Sequence, residues 1–365
     1  MTDPAPTLPA APDRAEIVRA HFRRQAETCT SMGSPFTGAL LDGLAARMSP
    51  EGPVARRLLA WPGDPGDDAL ALRTAGALHA LARAGLDPAL TAAWPPRAEG
   101  AGDPVDLALA AFAGHEAWLD PWLDGPPQTN ETGRSGSLLG GLLALSARTG
   151  GMEVEVLEIG ASAGLNQNLD AFRYDFGEGR AWGDPAATVH VRQAWRGTPP
   201  PLDARLEIAA RAGCDLNPLD PADPAARARL AAYLWPDQTE RLARAEAAMA
   251  LAAARNRPVE RADAAEWLEA RLATPQPEGR VRVVMHSIMW QYLPAAVQAR
   301  ISVALASAAA RATAARPLAW LRMEPDGARG SAALSLSLAR GDGAEWAAQE
   351  LARTDFHGRW TEWTG

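Results

Sequence analysis

Residues 154–172 read VEVLEIGASAGLNQNLDAF: an apolar run, a turn bracketed by Gly160 and Gly164, then a helix-like segment. The run predicts a buried strand closing at Ile159, and the small residues after it predict a sharp strand-to-helix turn. What that turn holds decides the function. The letters Gly160-Ala161-Ser162-Ala163-Gly164 fit a serine raised on an elbow, and equally a backbone cradle for a nucleotide-like cofactor.

Downstream of the turn, strands and helices alternate. RLEIAARAGCDLNP (205–218) predicts a second strand ending at Cys214-Asp215, and a long helical stretch follows over 223–255. PVERADAAEWLEARL (258–272) predicts a short strand running into a helix whose first turn holds Asp263. RVRVVMHSIMW (280–290) and PLAWLRMEP (317–325) predict two apolar strands around a helix at 294–314. In the tail, ALSLSLAR (333–340) and GRWTEW (358–363) alternate and could pair as a hairpin. Upstream the pattern differs. Residues 14–125 carry apolar residues at three- and four-residue spacing, broken by Pro/Gly/Asp clusters such as WPGDPGDD (61–68) and WPPRAEGAGDP (94–104). The expected architecture is therefore an all-α cap region, 1–125, and an α/β region, 126–365, with a doubly wound, mostly parallel, Rossmann-like sheet. Such a sheet receives ligands outside the carboxyl ends of its strands.

The composition narrows the partners. The 365 residues are 47% hydrophobic and 22% charged, with net charge −8 and no Lys/Arg run. That argues against a sequence-independent nucleic-acid binder and leaves small molecules and proteins. No run of eighteen apolar residues predicts a membrane span, and residues 1–20 lack the order of a signal peptide and read as a loose leader. Two distant cysteines, Cys29 and Cys214, suit a reducing cytoplasm, and no His/Cys/Asp spacing calls for a metal.

Phosphate chemistry fits the turn poorly. A Walker loop needs Gly-Lys-Ser/Thr where Leu165 and Asn166 stand, and a dinucleotide fingerprint needs glycines at Ser162 and Leu165. The elbow reading matches Gly160-x-Ser162-x-Gly164, with His286 or His357 and Asp263 or Asp326 as candidate partners. It lacks a strand-rich upstream half and a His-Gly-Gly oxyanion segment. His286, at the end of an apolar strand, is the candidate general base because histidine titrates near neutral pH.

Glu158-Ile159-Gly160-Ala161-Ser162-Ala163-Gly164 resembles the first motif of class I S-adenosylmethionine-dependent methyltransferases, with Ser162 in place of the commoner glycine. The resemblance implies a seven-stranded sheet whose last two strands form a hairpin, and S-adenosylmethionine as cofactor. It implies that Glu158, Gly160, Ser162 and Gly164 line the cofactor, that Asp215 meets the ribose hydroxyls and that Asp263 lies near the adenine. VVMHSIMWQYL resembles the fourth-strand motif facing methyl transfer, with His286 and Ser287 at its end and Trp290 and Tyr292 against substrate. Asp215 stands much further from the glycines than the roughly twenty residues of the Rossmann precedent. If TVHVRQAW (188–195) were the second strand, Asp184 or Glu178 would replace it.

Over nearly its whole length the chain also resembles an uncharacterised bacterial family, number 2332 among domains of unknown function. QTNETGRSG, LEIGASAGLNQNLDAFRYDFG, WGDP, GCDLNPLDP, WPDQTERL, VMHS with QYLP, and WLRMEPDG carry that likeness. It implies that QTNETGRSG lies over the cofactor mouth, with Arg134 on the cofactor carboxylate and Asn130 or Glu131 on substrate. The expected function is methyl transfer to a small acceptor. A serine hydrolase and a non-catalytic ligand-binding protein of the same fold stand as alternatives.

Overall fold

The computed structural model describes residues 13–97, 102–328 and 330–365, so the expected leader over 1–12 and part of the WPPRAEGAGDP linker lie outside the described residues. The chain divides into two compact units: one runs to Thr129 and includes Ala228–Leu242, and the other comprises Asn130–Arg227 and Ala243–Gly365.

The first unit holds α1 (Arg14–Ser31), α2 (Pro35–Arg47), α3 (Pro53–Leu59), α4 (Leu70–Ala84), α5 (Pro88–Ala93), α6 (Pro104–Gly114) and α7 (Glu116–Leu119). The helix starts follow local chemistry. Asp87 and Asp103 cap α5 and α6 through the N–H groups of Leu90 and Val105, each ahead of a proline that has no N–H to satisfy. Phe22, Leu41, Leu44, Leu58, Leu78 and Leu81 share its core. The stretch Ala228–Leu242 joins this unit for polar reasons as well as apolar ones. Ser34, the residue before α2, makes no cap bond of its own to the helix N–H groups; Asp237 accepts from the Ser34 hydroxyl and the Phe36 N–H. His79 contacts the Ala232 carbonyl at 3.2 Å, and Gly76 leaves room for the Tyr233 ring.

The second unit contains α8 (Ser135–Arg148), β1 (Glu153–Ile159), β2 (Arg173–Asp175), β3 (Ala181–Trp182), β4 (His190–Arg192), β5 (Ala194–Arg196) and β6 (Ile208–Asp215). After α9 (Pro224–Ala232) and α10 (Thr239–Arg255), which straddle the division, come β7 (Glu260–Arg261), α11 (Ala264–Ala273), β8 (Arg280–Ser287), α12 (Ala295–Ala309), β9 (Leu318–Glu324), β10 (Ala332–Ala339), β11 (Gln349–Thr354) and β12 (Trp360–Trp363). The main sheet is mixed and has nine strands in the order β5-β12-β11-β10-β9-β8-β1-β6-β7. Its core is parallel: β7, β6, β1, β8 and β9 all run one way. Leu157, Ile159, Val284 and Trp320 pack with Trp267, Leu268, Ile301 and Leu305 of α11 and α12. On the opposite face Gly141 of α8 lies against Leu321, so both faces of the central strands are covered.

Three expectations need correction. The sheet has nine strands where seven were expected, because β11 separates the two tail segments into a meander and β5 adds to β12 at the far edge. The tail pair is therefore not a hairpin; QELART, half polar and exposed at one end, gave no strand signal. Asn166–Ala171 forms a short 3-10 helix, not an α-helix. There Asn168 donates to the Gly164 carbonyl and Arg211 to that of Gln167, so side chains take acceptors that an α-helix would need. The second-strand ambiguity also resolves: β6, ending at Asp215, pairs with β1, whereas β4 belongs to a separate three-stranded sheet with β2 and β3.

Candidate functional site

Strand β1 lies between β6, the next parallel strand in the chain, and β8. The chain winds to one side of β1 and then returns to the other, so the reversal falls between β1 and β8. A crevice opens at such a point, at the carboxyl ends of the strands. One lip is the Gly160–Gly164 turn; the other is the segment after Ser287.

The turn is held by side chains from elsewhere. Gly160, Ser162 and Gly164 have φ of 66°, 55° and 67°, and only Ser162 carries a side chain into that left-handed region. The Ser162 N–H donates to Asp215 Oδ2 at 2.9 Å, and the N–H groups of Ala163 and Leu165 donate to Asn130 Oδ1 at 3.2 and 2.9 Å. The Ala161 N–H goes to the Cys214 carbonyl. These donors, which a phosphate would require, are already used. Asp215 also accepts from the Asn217 N–H. Asn130, expected on substrate, thus braces the turn, and Asp215 ties the end of β6 to it.

Beneath the turn lies a polar pocket of protein atoms. Glu158 pairs in register with Gly213, whose missing side chain leaves space for the Gln167 amide. Burial pushes the Glu158 carboxyl up to about 8, the Asp215 charge acts in the same direction, and the Gln167 amide opposes both. Glu158 Oε2, Ser162 Oγ, Asn166 Oδ1 and Gln167 Nε2 are buried with no hydrogen-bond partner in the protein. Burial, with Asp215 adding, also pushes the adjacent Cys214 thiol up to about 12, which leaves it unreactive.

On the second lip, Ile288 has φ of 51° and Met289 lays its side chain over Gly160, where a Cβ would stand 2.9 Å from Met289 Cγ. Glu324, at the end of β9, holds this segment. Its carboxylate accepts from the Met289 N–H and the Trp290 N–H, and from His286 Nδ1 at 2.7 Å. His286 Nε2 accepts from the Trp320 indole N–H at 3.0 Å, which places the ring proton on Nδ1. Both ring nitrogens are engaged and the ring is buried. A general base needs a lone pair facing the proton it removes, and His286 has none free; it positions Glu324. Trp290 stacks on His286 at 5.4 Å, while Tyr292 is 75% exposed.

The remaining expected residues spread around this edge. Arg134 donates to the carbonyls of Phe356, at 2.8 Å, and Ser287, at 3.4 Å, which brings its guanidinium to the end of β8. Glu131 accepts from the Gly133 N–H and pairs with Arg244 of α10, so its carboxylate is occupied by protein partners. Asp263 caps α11 through the N–H groups of Ala265 and Glu266. Asp184 accepts from the Ala186 N–H in an exposed turn between β3 and β4 of the small sheet. Among the described residues no group of three His, Cys, Asp or Glu could hold a metal, and no helix is long and apolar enough to cross a membrane.

The family profile described as an uncharacterised protein conserved in bacteria, domain of unknown function 2332, matches residues 19–363. The chain belongs to this family. No curated protein and no solved structure matches it. The match takes in both lips of the crevice and both compact units, so this member of family 2332 carries its candidate site wholly inside the matched span.

Sequence reasoning missed Gln167, Met289 and Glu324. Met289 and Glu324 sit inside the quoted segments VVMHSIMWQYL and WLRMEPDG, but their partners lie on other strands, and no local spacing reports that. Gly213 was the readable signal for Gln167: a glycine inside a strand marks the close approach of another group.

Proposed function

We propose that this family 2332 member is a methyltransferase that uses S-adenosylmethionine and acts on a small-molecule acceptor. The observation that carries the reading is the position of the glycine turn. It closes the first of five parallel strands arranged third-second-first-fourth-fifth, at the reversal point, with an acid from the second strand bonded into it. The sheet has nine strands in mixed orientation, and its departure from a seven-stranded Rossmann-like pattern lies beyond β9, in β10, β11, β12 and β5.

The residues fit such a cofactor. Ser162 Oγ, Asn166 Oδ1 and Glu158 Oε2 are buried polar atoms lacking protein partners, and atoms of this kind call for water or a ligand. Each Asp215 oxygen accepts one backbone N–H, which leaves lone pairs for ribose hydroxyls. Met289 covers Gly160 with an unbranched, adaptable side chain that can move aside. Arg134, at the end of β8, would face the cofactor carboxylate, and Asp263 would approach the adenine side while capping α11. The cofactor supplies an already activated methyl group, so the protein's work is to align the acceptor and exclude water. Trp290 and Tyr292 would line the acceptor side, with His286 supporting them through Glu324. Two buried free thiols, Cys29 and Cys214, accord with a reducing cytoplasm.

Ser162 in a left-handed conformation favours a serine hydrolase to the extent that an elbow is strained. Among the described residues its hydroxyl is nevertheless buried without a hydrogen-bond partner, so no histidine is bonded to it. Calorimetric titration with S-adenosylmethionine and S-adenosylhomocysteine tests the proposal. Saturable binding that Asp215→Ala weakens by about 1–3 kcal/mol is expected. No binding to the wild-type protein sinks it, and a hydrolase activity abolished by Ser162→Ala would replace it.

A further inference from the structure

Arg322 is a cation at the carboxyl-end edge of the sheet with no ion-pair partner among the described residues. It pairs in register with His286 of β8 on one side and with Ser335 of β10 on the other, near the carboxyl ends of the parallel strands. Its guanidinium stacks on the Trp320 ring, 4.3 Å from the centroid, and is half-buried. Among the described residues it meets neither a carboxylate at ion-pair distance nor a hydrogen-bond acceptor. The arginines on nearby strands are different: Arg282 reaches Glu155, and Arg353 reaches Asp326. Glu324 is the acid closest along the same strand face, but its oxygens are taken by His286, Met289 and Trp290.

The cost of this arrangement has a direction. Burial lowers the Arg322 pKa, and the Glu324 charge only partly opposes that. Stacking fixes the plane of the guanidinium and leaves its edge, with the N–H fork, for another group. The Trp320 indole beneath it is itself fixed by its bond to His286, and Trp290 lies 5.5 Å from Trp320. A rigid cationic fork beside an aromatic wall, at the end where this sheet type takes ligands, has the form of a specificity element.

We propose that Arg322 anchors an oxyanion, a carboxylate or a phosphate monoester, on the small molecule that enters at the strand ends. In the methyltransferase reading, on which only this assignment rests, that molecule is the acceptor, while Arg134 faces the cofactor. The bound oxyanion would take the two N–H groups of the guanidinium edge, a geometry that lysine does not reproduce.

The test uses the full chain and two probes, inorganic phosphate and acetate, each titrated at ionic strength held constant with chloride while thermal unfolding is followed. A ligand that binds only the folded state raises Tm in a saturable way. Wild type is expected to respond to at least one probe, and the probe that acts tells phosphate from carboxylate. Arg322→Met should weaken the response at least about tenfold and Arg322→Lys should keep only part of it. Wild type responding to neither probe beyond chloride overturns the proposal, and so does an undiminished response in Arg322→Met. Should the Met variant not fold, Arg322→Lys and the wild-type titrations decide. Parallel titration with S-adenosylhomocysteine separates the two readings: anion binding without cofactor binding removes the methyltransferase but keeps the Arg322 site. Cofactor binding without an anion response does the reverse.

Discussion

The two lips of the crevice are built on opposite plans. The turn after β1 is braced from two directions, by Asp215 at the end of β6 and by Asn130 from the polar segment before α8. The segment after β8 rests the N–H groups of Met289 and Trp290 on one carboxylate, Glu324, which also fixes His286. Redundant bracing gives a lip that survives the loss of one partner. In the second lip one carboxylate carries both of those N–H groups, while Gln298 holds the Trp290 carbonyl and Arg134 that of Ser287, and it is this lip that carries Met289 over Gly160. Loss of Glu324 therefore releases two N–H groups at once, whereas loss of either Asp215 or Asn130 leaves the other on the turn.

The sharpest way to break this contrast is Glu324→Ala. It leaves the His286 Nδ1 proton and two backbone N–H groups without their acceptor, so it should destabilise by about 3–5 kcal/mol in urea unfolding. Asn130→Ala should cost only about 1–3 kcal/mol, since Asp215 still holds the turn. Equal losses in the two variants would remove the distinction between the lips.

Glu158 probes the first lip through pH. Its carboxyl titrates near 8 in the folded chain against an ordinary value near 4.5, so between these limits the folded state keeps a proton that the unfolded state has released. Stability must then fall as pH rises across that window, with a limiting slope of about 1.4 kcal/mol per pH unit from this group, and level off above it. Glu158→Gln should flatten this component in unfolding experiments at pH 5, 6, 7 and 8. An unchanged slope would show that the carboxyl is already ionised at neutral pH.

The smallest effect is expected at Ser162. Glycine there relieves a left-handed φ worth about 1–2 kcal/mol, against about 0.4–1 kcal/mol of added chain entropy, and removes a buried hydroxyl without a hydrogen-bond partner, so Ser162→Gly should stabilise by about 0.5–1 kcal/mol net. A loss of stability instead would mean that the hydroxyl does unseen work in the turn.

Much of the first lip was legible in the amino-acid sequence, and little of the second. Apolar runs such as VEVLEI and RVRVVM and the paired glycines mark buried parallel strands and a tight turn because those features are local. Asp215 could be placed at a strand end for the same reason. What Glu324 does could not be read, because its partners sit on β8 and in the segment after it. His286 looked like a base from its place at a strand end; only the Trp320 indole across the sheet shows that its lone pair is taken. The strands β5 and β11 escaped notice since a three-residue strand and a half-polar one produce almost no alternation. Asp237 capping α2 is likewise invisible to any window, with two hundred residues of chain between the partners.

The main sheet ends on one side in β7, two residues long and made of Glu260 and Arg261, and on the other in β5, three residues closing at Arg196. Open strand borders recruit foreign chains, and the usual defences are brevity and charge. This sheet applies both at each border. A nine-stranded sheet with such borders therefore offers a second molecule almost no backbone to add to, which should let the protein stay dispersed at high concentration.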